Sequence, residues 1–241
     1  MITIGYLIIA AAAFACLIWC LRAYMAQKTT VLLLTLIPLL FLWFDSFAVA
    51  TGRFIGEGPI MLGVTYLRYA WHWGTLPLLI IVAGILLRRA GFQFAQNKIV
   101  MGLFCALAVF FIVYDFRYIF IVDFYPACFA ETLRYVTKVS ETQACSPDIA
   151  GVGMSVSPAA AILTNLILMA VGIAIWIRHK WPWLAVGCMI MFAAAAVPQS
   201  LVGPIVGNMG EPIFNFAVVA AAIRYGGRKQ QDSPEQEGLA A

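Results

Sequence analysis

Tyr66-Leu-Arg-Tyr-Ala-Trp-His-Trp-Gly-Thr-Leu-Pro-Leu-Leu79 is the stretch on which the fold turns, because a charged, aromatic segment runs directly into a hydrophobic one. Arg68, His72, Thr75 and Leu79 follow at +4, +7 and +11, so a helix puts a cation, an imidazole, a hydroxyl and an apolar group on one face. Such a face is costly inside a bilayer unless it turns into a bundle or a wet cavity. The stretch therefore reads as the third helix of a membrane bundle and as one wall of its functional site.

The composition points the same way. Of 241 residues, 63% are hydrophobic and only 11% charged, with a mean hydropathy of +0.94. Repeated apolar runs near the spanning length of ~20 residues give an all-α, polytopic membrane protein. The net charge of +4 comes mostly from short basic clusters between these runs. That is an orientation signal and not a nucleic-acid surface, so no nucleic-acid partner is expected.

The expected spans are 2–24, 30–52, 66–87, 99–122, 157–177, 183–206 and 207–225. The first has no basic residue before it, so it reads as a retained helix and not as a cleaved leader. A turn rich in glycine, Gly52 to Pro59, joins spans two and three, and 123–156 is the one long hydrophilic segment. Basic residues follow spans one (Arg22, Lys28), three (Arg88, Arg89, Lys98), five (Arg178, Lys180) and seven (Arg224, Arg228, Lys229). The positive-inside rule then gives seven helices, N-terminus outside and C-terminus cytoplasmic, in a bacterial inner (plasma) membrane. Residues 1–226 form one membrane domain, and 227–241 a disordered cytoplasmic tail.

Depth along each helix, at about 1.5 Å per residue, gathers the polar residues in the outer half. Asp45 lies toward the outer end of span two, Arg68 and His72 in span three, and Asp115 near the end of span four. Asn165 belongs to span five, Gln199 to span six and Glu211 to span seven. Trp43, Trp71 and Thr75 are further candidates for the lining of a cavity there. Asp45, His72 and Glu211 are expected to converge, since intramembrane carboxylates are expensive and usually purposeful.

No metal site is expected. The two histidines, His72 and His179, lie at opposite ends of their spans, and no other ligand pattern accompanies them. Cys128 and Cys145 share the hydrophilic segment, where an oxidising compartment favours a disulfide.

Arg68-Tyr69, Thr75 and Pro77-Leu78-Leu79 resemble the third helix of microbial rhodopsins, which reads R-Y-x-D-W-x-x-T-x-P-L-L. The resemblance covers about thirty residues, beyond which only the topology is similar. Trp71 stands at the family's counterion aspartate and His72 at its following tryptophan. The family holds retinal through a lysine in helix seven, whereas Lys28, Lys98, Lys138, Lys180 and Lys229 all lie outside the spans. The resemblance thus implies an opsin-like scaffold without a retinal Schiff base, and no other cofactor is expected.

The function expected from these residues is the binding of a small apolar or amphiphilic ligand in an aromatic and polar outer cavity, as sensor, carrier or subunit. An intramembrane enzyme acting on a lipid or isoprenoid is the alternative. It is similar to small membrane terpene cyclases, with Asp45 and Glu211 as general acid and base. A proton-coupled transporter is the third reading. The partners are the bilayer and a small hydrophobic ligand or substrate.

Overall fold

The computed structural model describes residues 2–197 and 205–227. Helices α1 (Ile2–Gln27) and α2 (Thr30–Ile55) form an antiparallel pair joined through Lys28 and Thr29. Helices α3 (Pro59–Thr75) and α4 (Leu78–Arg89) follow, then α5 (Lys98–Phe116). A hairpin of β1 (Tyr125–Phe129) and β2 (Thr132–Val136) interrupts the helices before α6 (Ala159–His179), α7 (Trp183–Ala196) and α8 (Ile205–Gly226). Counting α3 and α4 as one kinked helix, six among the described residues are long and apolar enough to cross a membrane. This is an integral membrane protein of the all-α class.

The turn between α2 and α3 is shorter than the sequence suggests. Gly56, at φ 77°, stops α2 by donating its N–H to the Gly52 carbonyl at 2.9 Å. Pro59 starts α3 at the first helical position, where its missing N–H costs nothing. Only Gly56-Glu57-Gly58 remains as turn, and the third helix begins seven residues before the expected residue 66. Pro77 divides α3 from α4, because without an N–H it leaves the Trp73 carbonyl unbonded within the helix. The register of Arg68, His72, Thr75 and Leu79 is therefore broken after Thr75.

Helix α4 is the most central element. Leu79, Ile80, Val82, Ala83 and Leu86 are buried, packed among α2, α5, α6 and α8. Small residues let helices approach closely, as at Gly187 of α7, where Ala217 of α8 fills the space a side chain would take. By contrast α5 is peripheral, burying only Ala108, Phe111 and Asp115. Of the expected span 183–206, the structure gives α7 to Ala196, about 21 Å of helix. The call on Gln199 lies outside the described residues, as does that on the tail beyond Gly227.

The segment 123–156 is ordered by three devices. Ala130, at φ 50°, helps turn β1 back on β2, so that Cys128 pairs with Leu133 and Phe129 with Thr132. A Cys128–Cys145 disulfide then ties β1 to the following coil. Finally the hairpin docks on the bundle: the Leu133 carbonyl sits directly against Gly52 of α2, where a side chain would collide with it. Gly58 N–H donates to Tyr135 Oη at 3.2 Å, and Arg53 pairs with Glu131 at 3.5 Å. The hairpin thus closes one end of the bundle. The basic residues of the α1–α2, α4–α5 and α6–α7 connections lie at the other.

Candidate functional site

At the hairpin end lies a cavity of about 400 Å³ lined by α2, α3, α5, α6 and α8, with β2 and the coil leading to α6 as its roof. Asp45 of α2, Arg68 and His72 of α3, Asp115 of α5 and Glu211 of α8 all contribute to its wall. Helical spacing explains the α3 part. Arg68, Tyr69, His72 and Trp73 occupy two adjoining i, i+4 rows of one face.

Arg68 donates from both Nε and Nη2 to Asp45 Oδ1, each at 2.7 Å. Both side chains are largely buried, at 8% and 17% exposure, so each is the other's main compensation for lost water. The Arg68 Nη1 is buried with no protein partner. Glu211 is held by neutral donors instead: Asn208 Nδ2 to Oε1 at 2.8 Å and Ser46 Oγ to Oε2 at 3.4 Å. Tyr6 of α1 donates to Asn208 Oδ1 at 3.3 Å, extending the Glu211 network to a third helix. Asp115 is 5% exposed, and its Oδ1 is buried with no protein donor.

Aromatic rings form the wall on the α3 side. Tyr69 packs against Trp73 with ring centroids 5.0 Å apart and against Phe124 at 4.8 Å. Met61, Val122 and Tyr135 complete this small cluster, which seats the roof on α3. His72 meets the edge of Phe41 at 5.1 Å.

Several residues expected at the site lie elsewhere. Trp43 turns away from it, between Phe14 at 5.2 Å and Phe47 at 5.8 Å. Thr75 sits at the kink and gives its hydroxyl hydrogen to the Trp71 carbonyl at 2.8 Å. Trp71 is half-buried outside the lining, with its Nε1 unbonded by the protein. Asn165 faces α7, where Nδ2 donates to the Cys188 carbonyl at 3.1 Å and ties α6 to α7. In each case the residue has suitable chemistry but stands on a part of its helix that does not face the cavity. Arg117, two residues past Asp115, lies over the Tyr114 ring at 4.2 Å and the Tyr118 ring at 5.0 Å.

Sequence reasoning missed Ser46, Asn208 and Arg134. Asn208 carried a usable signal, since i, i+3 spacing places it beside Glu211 on a helix. For Arg134 the signal was the alternation of Thr132, Arg134 and Val136 with Leu133 and Tyr135, a strand pattern. Asn215, one turn along α8 from Glu211, is fully buried with neither amide atom bonded by the protein. Among the described residues one grouping has metal-like spacing, Glu57 with Cys128 and Cys145. Its two sulfurs are joined to each other, and a disulfide is not the thiolate a metal would take.

A second cavity, also about 400 Å³, lies further from the hairpin along α5 and α6. Leu103, Phe104, Leu107, Ile167, Val171 and Ala174 make it almost wholly apolar. The cluster of Ile80, Ala108, Phe111 and Ala160, from α4, α5 and α6, lies between the two.

Comparisons with protein-family models, curated proteins and solved structures found no match to this chain.

Proposed function

We propose that this chain is a seven-helix membrane protein that binds a small amphiphile, its polar end in the cavity beneath the hairpin. The reading is carried by one observation: charged and hydrogen-bonding groups from four helices, α2, α3, α5 and α8, face a single roofed cavity in an otherwise apolar bundle. Its size falls in the range of small-molecule sites, roughly 300–1,000 Å³. The apolar cavity along α5 and α6 has the chemistry for a hydrocarbon part. In this reading α7 supplies the seventh crossing. The hairpin end faces outside and the C-terminus the cytoplasm of a bacterial inner membrane. Support for that orientation comes from the basic residues at the opposite end and from a disulfide at the hairpin end.

The opsin-like scaffold belongs to the same proposal, supported by the kink at Pro77 and by Arg68 facing the interior. A lipid- or isoprenoid-modifying enzyme has less support. Asp45 is engaged by Arg68, which leaves Glu211 without a free acid–base partner on α2. No coupling path that would favour a transporter emerges from the residues of the cavity.

The test is mass spectrometry of protein purified in a mild uncharged detergent, with Ala161→Trp as a blocked cavity. The native chain should retain a stoichiometric amphiphile that the blocked variant lacks. Equal occupancy in both, or none in either, would rule this function out.

A further inference from the structure

We infer that the head group seated in the cavity is a monocation, an amine or quaternary ammonium, facing Asp115 and Glu211. The inference rests on the amphiphile reading and specifies its ligand class. It begins with charge. Three carboxylates, Asp45, Asp115 and Glu211, line the cavity against two guanidinium groups, Arg68 and Arg134. His72 lines it too, and Asp45 is already answered by Arg68, which leaves Asp115 and Glu211.

The described hydrogen bonds of both guanidinium groups go to other residues. Arg68 directs two donors to Asp45 at 2.7 Å, and Arg134 Nη2 donates to Gln143 Oε1 at 3.1 Å within the roof. Glu211 receives hydrogens from the neutral Ser46 and Asn208. Asp115 is 5% exposed with Oδ1 unbonded by the protein, and Arg117 is occupied with two tyrosine rings. A buried carboxylate oxygen turned into a cavity without a donor is a site awaiting a cationic or donor group. The Arg68 Nη1 hydrogens suit a neutral acceptor.

The rings supply an independent argument. Tyr69 and Trp73 line the same cavity, and aromatic faces attract desolvated cations, quaternary ammonium included. An anionic head would meet three carboxylates and two electron-rich rings. A neutral hydroxyl head can donate to Asp115 Oδ1 but gains nothing from the rings.

The experiment compares dodecyltrimethylammonium, dodecanol and dodecanoate, three probes of equal chain length and different head charge. Each is titrated into the full-length chain in uncharged detergent, with binding read from tryptophan emission. The ammonium probe should bind at least about tenfold more tightly than the alcohol, and dodecanoate most weakly. Asp115→Asn and Glu211→Gln should each weaken the ammonium probe by about tenfold, while Asp115→Glu restores it. Dodecanol or dodecanoate binding as tightly as the ammonium would overturn the head-group inference and leave the amphiphile reading standing. Failure of all three probes would overturn both. Should a variant not fold, the ranking of probes on the native chain decides alone.

Discussion

Arg68 directs two donors at a single oxygen of Asp45, and disturbing that arrangement has an asymmetric cost. Removing one partner strands a buried charge, so Asp45→Asn should lose about 3–5 kcal/mol of stability. Replacing both by apolar residues, Asp45→Leu with Arg68→Met, should recover most of it. Thermal unfolding of the three proteins checks this, and equal losses in single and double variants would show that the pair is not coupled. Glu211→Gln should behave differently, because Asn208 can still donate to the amide oxygen and the Ser46 hydroxyl can accept from the amide nitrogen. Its stability should stay within about 1 kcal/mol of the native chain while ligand occupancy falls. Much of this chemistry was legible in the sequence: Asp45, Arg68, His72, Asp115 and Glu211 stand out as polar groups in apolar spans. What could not be read was partnership. Asp45 and Arg68 are 23 residues apart on different helices, and nothing local links them. Rotation was equally hidden, which is why Trp43 and Asn165 read as lining although their faces pack on other helices.

The hairpin and its seat on α2 are the element whose form the sequence disguised. Its alternation was present, but it is short and set in a polar segment where strand signals are weak. The disulfide was more visible, since two cysteines in the one long hydrophilic connection have few other roles. Its 17-residue separation corresponds to about 3 kcal/mol of unfolded-chain entropy in the simple loop model. Cys128→Ser should therefore lower stability by roughly that amount, with no further loss in the Cys128→Ser, Cys145→Ser pair. Calorimetry of the two variants makes the comparison, and a larger loss in the double variant would argue against a shared bond. Docking of the hairpin depends on a different residue. Because the Leu133 carbonyl occupies the space a Gly52 side chain would need, Gly52→Val must push β2 off α2. Amide exchange should then speed up at 125–136 and not within α4 or α8. Unchanged protection of the hairpin would mean that its contact with Gly52 does not hold it down.

Across the whole molecule the charges are sorted by end, and the sorting follows from what a bilayer demands of each segment. Long apolar helices must keep their backbone hydrogen bonds internal, so cations collect where helices stop. Lys28, Lys98 and Lys180 mark the connections α1–α2, α4–α5 and α6–α7, all exposed and all at one end. That end is also packed as a unit: His179 Nε2 lies 2.8 Å from the Ala90 carbonyl, and Arg224 lies over Trp181 at 5.9 Å. Lys138 is exposed at the opposite end, in the coil that follows β2. Long basic side chains at a cytoplasmic face hold orientation, whereas a disulfide needs an oxidising one, so the two ends should lie on different sides of the membrane. An impermeant amine reagent applied to intact cells should therefore modify Lys138 and spare Lys28, Lys98 and Lys180. All four should react once the membrane is opened. Reporter fusions at residues 92 and 180 should read cytoplasmic in the same cells. Labelling of Lys98 or Lys180 from outside would invert the topology. The cavity would then open to the cytoplasm, and a ligand would have to reach it from that side.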